Sequence, residues 1–256
     1  MTKKHDKSTD RNFDDLTHRF NRNIYDTLKG QIRLAVLQRD LEPYLSKPLK
    51  IIDAGGGQGV LSLSLAHKHK VTICDISIEM LKLAEKNAQH LECNTVNFLN
   101  CSIQQLPEKL DSLADMVLCH VVLEWMADPE EALKYLYQCI KPDGVLSLSF
   151  FNLNSIIYKN LLRGNFNKAR SDDFTGYKGS LTPINPLKIK DVSTWLEKHN
   201  FEIISQSGIR VFNDYLTDKE LQSKRSQAII DTELEFSQKE PFRSLARYIH
   251  IIAKRR

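Results

Sequence analysis

The chain has 256 residues, 41% of them hydrophobic and 27% charged, enough for one well-cored domain of about 150 to 250 residues with additions. That excludes a disulfide miniprotein and a disordered tail. The net charge of +4 is unevenly spread: residues 1–50 carry 11 basic and 7 acidic side chains, residues 51–150 carry 7 and 13, and residues 151–256 carry 18 and 12. An acidic middle lies between two basic flanks, an asymmetry that the near-neutral total hides.

The first dozen residues are polar. From Phe13 the pattern becomes helical, and Leu34, Leu37, Leu41 and Leu45, at steps of three and four, predict one apolar stripe on a helix that stops near Pro48. A short apolar run over 50–54 leads into glycines and an amphipathic stretch over 60–67. Residues 71–75 are again strand-like, after which Ser77 can cap a helix whose buried face is Met80, Ala84, Ala88 and Leu91. Third and fourth strands are predicted over 94–99 and 115–121. Asp128-Pro129-Glu130-Glu131 has the chemistry of a helix start, with Leu133, Leu136, Tyr137 and Ile140 as the stripe, and Lys141-Pro142-Asp143-Gly144 ends that helix before a fifth strand over 145–151. Strands alternating with helices of about 10 to 15 residues imply parallel pairing through right-handed crossovers, so the fold class is α/β with a doubly wound sheet.

After Phe151 the pattern changes. A helix over 155–162 precedes a stretch rich in Gly, Asn, Asp, Lys and Ser (163–186) that reads as a loop inserted over the sheet edge. A helix over 189–199, an extended run over 201–212, a longer helix over about 218–237 and a final strand over 247–253 complete the chain. The last two extended runs are joined through a helix and follow no glycine-rich turn, which leaves room for an antiparallel strand.

Cys74, Cys93, Cys101, Cys119 and Cys139 are odd in number and form no Cys-x-x-Cys pair. They read as reduced core residues, which points to the cytoplasm, because oxidising compartments favour cysteines at framework spacings. The first residues lack an apolar signal region, and no stretch approaches the roughly 18 apolar residues of a spanning helix. Neither a membrane nor a metal partner is expected.

Asp53-Ala54-Gly55-Gly56-Gly57-Gln58-Gly59 follows a strand and opens a helix. Glycines there permit positive φ and let a ligand approach the backbone next to a helix N-terminus; a purely structural turn has the same look. The segment does not fit G-x-G-x-x-G, since Val60 stands where the last glycine belongs, and it has no Gly-Lys-Ser/Thr, so pyrophosphate and nucleoside triphosphate lose ground. Asp75 lies 22 residues after Asp53, at the carboxyl end of the next strand, where an acidic side chain can accept hydrogen bonds from both hydroxyls of a ribose or merely cap the turn before Ser77. A ribose without a phosphate cradle suggests S-adenosylmethionine (SAM).

The segment 53–59, Asp75 and the Lys141-Pro142-Asp143-Gly144 turn resemble the class I SAM-dependent methyltransferases. The resemblance implies a Rossmann-like sheet of seven strands, the last antiparallel and inserted beside the fifth. It also implies that Gly55 and Gly56 pack against the amino-acid end of the cofactor, that Ile103 and Gln104 lie by the adenine, and that His120 faces the cofactor; His120 reads equally as a satisfied core histidine. A single domain spans 1–256, with an N-terminal helical cap (1–48), a cofactor-binding core (49–151) and substrate-side helices, loop and last strands (152–256).

A closer likeness covers nearly the whole chain from Arg11. Arg11-Asn12-Phe13-Asp14-Asp15, Asn23-Ile24-Tyr25 with Lys29-Gly30-Gln31-Ile32-Arg33, His120 through Leu123-Glu124-Trp125 to Asp128-Pro129, Gly164-Asn165-Phe166, Gly208-Ile209-Arg210-Val211-Phe212 with Asp214-Tyr215, and Glu240-Pro241 through Arg247-Tyr248-Ile249-His250 resemble the bacterial tRNA 5-carboxymethoxyuridine methyltransferase family. That family esterifies the carboxylate of 5-carboxymethoxyuridine at the tRNA wobble position, and the likeness implies that Arg33 reaches the cofactor and pairs with its carboxylate. One departure concerns the loop after Phe166, lysine-rich in relatives. Here residues 167–186 carry only Lys168, Arg170 and Lys178 against Asp172 and Asp173.

The chemistry suits these residues. A carboxylate with a pKa of about 3 to 4 is ionised at neutral pH and attacks a sulfonium methyl without a general base, so no catalytic base is expected. Recognition of that carboxylate calls for a planar, two-point donor, for which Arg210 is the candidate; the alternative is a strand arginine paired with Asp214. Tyr25 is a second substrate candidate, as a hydrogen-bond donor or stacking ring, with helix packing as its other reading. Lys3, Lys4, Lys7, Arg11, Arg19 and Arg22 at one end, and Arg243, Arg247, Lys254, Arg255 and Arg256 at the other, are candidate phosphate contacts. The competing readings are a methyltransferase of a small carboxylic acid or quinone precursor, a carboxymethylating relative that uses carboxy-SAM, and a non-catalytic SAM- and tRNA-binding protein.

Overall fold

The computed structural model describes residues 6–16, 27–171, 173–177 and 181–256. Seven strands, β1 (Lys50–Ala54), β2 (Lys70–Asp75), β3 (Asn97–Asn100), β4 (Ala114–His120), β5 (Ile140–Phe151), β6 (Phe201–Ile209) and β7 (Tyr248–Arg255), form one sheet in the order β3-β2-β1-β4-β5-β7-β6. β1 to β5 pair in parallel, and β7 runs antiparallel between β5 and β6. The helices are α1 (Leu28–Leu41), α2 (Val60–Leu65), α3 (Ile78–His90), α4 (Leu106–Lys109), α5 (Pro129–Cys139), α6 (Leu153–Leu162), α7 (Phe166–Ala169), α8 (Ile189–Lys198), α9 (Lys219–Lys224), α10 (Ser226–Phe236) and α11 (Phe242–Leu245).

Local sequence explains where the long helices start. Thr27 accepts the Gly30 N–H at the head of α1, Ser77 accepts the Met80 N–H at the head of α3, and Asp128 accepts the Glu131 N–H ahead of Pro129 in α5; each cap satisfies a donor with no partner inside its helix. Central strands are apolar on both sides because both sides are covered. In β4, Met116 and Leu118 join the core under α1, α2 and α3, while Val117 and Cys119 join the core under α4, α5 and α8.

Several boundaries differ from the sequence expectation. α1 ends at Leu41 because Pro43 forces a 3₁₀ turn over Glu42–Tyr44, so Leu45 lies outside the helix, and the buried stripe is Ile32, Val36, Leu37 and Leu41. Leu91 is not part of the α3 core; it caps that helix and is 48% exposed. β3 starts at Asn97, and β5 starts at Ile140, with the Lys141-to-Gly144 turn absorbed as an irregularity in its pairing with β4. The long helix expected over 218–237 is broken at Arg225 into α9 and α10, and the loop over 163–186 contains α7.

The five cysteines are buried and unpaired. Among the described residues no helix is long and apolar enough to cross a membrane, and no group of three His, Cys, Asp or Glu side chains is placed to hold a metal ion.

Candidate active site

The topology gathers one set of ends on one edge of the sheet: the carboxyl ends of β1, β2, β4, β5 and β6, and the start of the antiparallel β7. Crevices outside the carboxyl ends of such strands are where open α/β sheets bind ligands. Backbone strain gathers here too. Val121, just after β4, and Arg210, just after β6, both have φ of 62°, a conformation that L residues adopt at a cost of about 1–3 kcal/mol and that persists where surrounding structure enforces it.

After β1 the glycine turn crosses over to β2. The N–H groups of Gly55 and Gly56 donate to the carbonyl of Cys74 at 2.8 and 3.0 Å, and the N–H of Gly57 donates to Asp75 Oδ2 at 2.9 Å. Gly55 has φ of 75°, and a Cβ there would lie 2.5 Å from Val122 Cγ2, so both backbone and space require glycine. The other oxygen of Asp75 accepts the Ser77 N–H at 2.8 Å. The turn reading of Asp75 is therefore correct, and its carboxylate also lines the cavity beside it. Burial raises its pKa, and the two backbone donors oppose the rise.

Two chambers meet at Gly55. The outer one, about 530 Å³ of open space, is walled by Asp75, Ile76, Ile103, Val122, Trp125 and Phe13 among others. The inner one, about 350 Å³, is lined by Arg33, Asp53, Gly55, Gly56, Val60 and His120 among others. Burial pushes the Asp53 carboxyl up to about 6, with Asp75 adding to the rise while a hydrogen bond from Ser62 and the Arg33 charge oppose it. Burial drives the His120 imidazole well below its ordinary range, and His250 and Arg33 push the same way.

The segment 6–16 straps the outer chamber. Asp10 accepts from the Ala127 N–H (2.8 Å) and from Gln104 Nε2 (2.9 Å), Arg11 N–H donates to Trp125 O, and the Phe13 ring meets Trp125 edge-on at 4.9 Å. Ser77 Oγ donates to Asp14 at 2.5 Å. Ile103 is a wall of the chamber and Gln104 latches the strap, leaving Gln104 Oε1 buried with no hydrogen-bond partner among the described residues.

Beside the inner chamber stands a cluster of guanidinium groups. Arg33 and Arg210 both lie over the Tyr248 ring, at 5.7 and 5.1 Å from its centroid, and Arg247 lies 4.3 Å over Phe151. Arg210 and Arg247 share one carboxylate oxygen, Asp214 Oδ2, at 3.2 and 3.7 Å. The Nε atoms of Arg33 and Arg210 and Asp214 Oδ1 are buried with no hydrogen-bond partner among the described residues. Tyr215, whose hydroxyl donates to Leu245 O, and Tyr158 meet edge-on at 5.0 Å nearby. The turn after Arg210 is clamped by fully buried Glu233, whose carboxylate accepts the N–H groups of Val211 (2.6 Å), Phe212 (3.1 Å) and Asn213 (2.7 Å). Glu124 is also fully buried, and burial lifts its carboxyl to about 7 against the pull of Arg33.

The structure thus brings Arg33, Gly55, Gly56, Asp75, Ile103, His120 and Arg210 to one edge, with Gln104 one residue behind the wall. Tyr25 lies outside the described residues. Arg210 pairs with Asp214, as its alternative reading expected; Arg247 was expected only as a phosphate contact and stands with Arg210, while Tyr248 and Glu233 had no role assigned from sequence. The last residues are a correction. β7 runs away from this edge, so Lys254, Arg255 and Arg256 end at the opposite one, where Lys254 pairs with Asp143, Arg255 stacks on Tyr137 and donates to the carbonyls of Tyr137 and Ile140, and Arg256 approaches Glu202.

Residues 45–208 match the model of a methyltransferase domain family. The chain is 37% identical over 252 residues to the tRNA 5-carboxymethoxyuridine methyltransferase of Escherichia coli (strain K12), spanning 96% of this chain and 97% of that protein. A ubiquinone biosynthesis O-methyltransferase of Yersinia enterocolitica is 32% identical over 108 residues, 41% of this chain and 44% of its own length. Among solved structures, the magnesium protoporphyrin IX methyltransferase of Synechocystis PCC 6803 with bound SAM superposes with a TM-score of 0.59 at 19% identity, covering 95% of this chain and 93% of that one. The [4+2]-cyclase SpnF superposes with a TM-score of 0.60 at 16% identity, covering 87% and 80%. A cyclase among such neighbours shows that fold alone does not fix the reaction.

Proposed function

Because this chain belongs to the SAM-dependent methyltransferase family that includes the bacterial tRNA 5-carboxymethoxyuridine methyltransferases, we propose that it methylates the carboxylate of 5-carboxymethoxyuridine at the wobble position of tRNA, giving the methyl ester. The observation that carries the choice of acceptor is the shared Asp214: two half-buried guanidinium groups, Arg210 and Arg247, lean on one carboxylate oxygen beside the inner chamber. A second carboxylate, brought by the substrate, balances that charge. The ubiquinone-pathway relatives support the cofactor but not the acceptor, because the likeness spans 41% of the chain against 96% for the tRNA enzyme.

The residues fit the cofactor. Asp75 faces the outer chamber with a carboxylate suited to ribose hydroxyls, and Ile103 offers an apolar wall to adenine, with Gln104 behind it carrying a buried Oε1 that has no partner among the described residues. Gly55 and Gly56 leave backbone open to the inner chamber, where Arg33 is the partner for a carboxylate and His120 faces the same ligand. When bound, SAM supplies a methyl group on a positively charged sulfur. The protein's part is alignment, since an ionised carboxylate requires no base. Asp214 already balances part of the Arg210 charge, which tempers the clamp; a carboxylate gripped by both oxygens would be held in its ground state and attack poorly.

RNA is met by the surface of α6 and α7. Arg163 and Arg170 are exposed there, and Phe166 is 56% exposed with Lys168 beside it, a mixture of phosphate partners and a stacking ring. With purified protein, methyl transfer to tRNA bearing 5-carboxymethoxyuridine is expected, with kcat/KM falling steeply between low and physiological salt while SAM affinity changes little. A flat salt response, or equal turnover of free carboxymethoxyuridine nucleoside, contradicts a tRNA substrate.

A further inference from the structure

A band of polar side chains crosses four neighbouring strands on the α1 side of the sheet, where the surroundings are otherwise apolar. His120 (β4), Ser147 (β5), His250 (β7) and Ser207 (β6) lie in it, and the last three are at most 1% exposed. Ser147 Oγ lies 2.8 Å from Nε2 of His120 and 2.8 Å from Nε2 of His250. His250 Nδ1 is 2.7 Å from Asp40 Oδ2, and Asp40 Oδ1 accepts from Arg39 Nε and Nη2 at 2.9 and 2.6 Å. Arg39 then donates to Ser207 Oγ, Ser237 Oγ and the Leu234 carbonyl. The chain of contacts runs from the wall of the inner chamber to the outer part of α1.

Proton counting fixes the direction of every bond in it when both imidazoles are neutral. Asp40, paired with Arg39, is an acceptor, so His250 carries its proton on Nδ1 and offers a lone pair at Nε2. Ser147 has one proton and gives it to that lone pair. Its oxygen must then accept from His120, which places the His120 proton on Nε2 and leaves Nδ1 as an acceptor. His120 lines the inner chamber with Arg33. Arg33 offers only donors, whereas an ammonium group in the same chamber needs acceptors.

We propose that Asp40, His250 and Ser147 are positioning residues that hold His120 in the Nε2–H tautomer, so that its Nδ1 accepts a hydrogen bond from the α-ammonium of the cofactor. The inference rests on the cofactor half of the proposed function and is independent of the acceptor. The need for it follows from the chemistry of imidazole: a neutral ring presents either a donor or an acceptor to the chamber, and a donor would face the ammonium with a proton against a proton.

The test reads the tautomer directly. Nitrogen-15 spectra of the cofactor-free protein at about pH 8, above the ordinary range of imidazole titration, are expected to show for His120 a protonated, pyrrole-like Nε2 and a pyridine-like Nδ1. In Ser147→Ala and in Asp40→Asn the two tautomers should mix. S-adenosylhomocysteine should then bind about tenfold more weakly, the loss of one charge-assisted hydrogen bond, while the analogue without the α-amino group binds wild type and both variants within about twofold. That second ligand also reports that each variant keeps a folded chamber. A proton on Nδ1 of His120 in the wild type, an unchanged tautomer in the variants, or equal losses for both ligands overturns the proposal. Failure of the wild type to bind S-adenosylhomocysteine at all would instead sink the cofactor reading itself.

Discussion

Replacing Arg210 with alanine is expected to lower kcat/KM for tRNA carrying 5-carboxymethoxyuridine by about a hundredfold, while SAM affinity stays within about threefold. The size follows from what the residue is and where it sits. Its side chain is 11% exposed, over the Tyr248 ring, in a left-handed backbone conformation that the Glu233 clamp on the next three N–H groups holds in place. A guanidinium so fixed has paid its ordering entropy before the substrate arrives, so little is lost when the bond forms. Lysine keeps the charge but not the fork, and Arg210→Lys should recover only part of the loss. Asp214 is left with Arg247 in these variants, so a thermal melt should accompany the kinetics. An equal loss of cofactor affinity would remove Arg210 from the substrate role.

The second large effect is at Asp75. Asp75→Ala removes the acceptor for the Gly57 and Ser77 N–H groups together with the carboxylate offered to the ribose. The glycine turn keeps the Gly55 and Gly56 bonds to the Cys74 carbonyl but loses its tie through Gly57, and the cofactor loses charge-assisted bonds. Each such bond is worth about 1.5–3 kcal/mol, so calorimetry should show SAM binding weakened by about 10² to 10³-fold. Asp75→Asn retains one acceptor oxygen and should lose less. A dissociation constant within threefold of wild type for Asp75→Ala would mean that the carboxylate serves the turn alone.

Features set by neighbours in sequence were legible without coordinates. The Ser77 and Asp128 caps act within three residues, and they, the glycine turn and the acidic end of β2 are where the pattern placed them. The antiparallel seventh strand came from family resemblance, since its own residues say only that it is extended. What stayed hidden depends on strand order. Asp40 meets His250 across 210 residues, and Ser147 meets His250 across 103; no local pattern links them. One signal was available: Ser147 stands between Leu146 and Leu148 in a strand buried on both faces, where a buried hydroxyl is usually answered by other polar groups. Arg247 and the three cations after Ala253 looked alike in sequence. The direction of β7 separates them, taking Arg247 to the chamber edge and the rest to the far edge, so part of the positive charge of the C-terminal flank lies away from the chambers.

Esterification of one modified base is read out by nucleoside mass analysis of tRNA from a strain lacking this protein. In that strain the wobble methyl ester is expected to vanish while the free acid, 5-carboxymethoxyuridine, accumulates. A profile identical to that of the parent strain, or loss of the free acid itself, would contradict it.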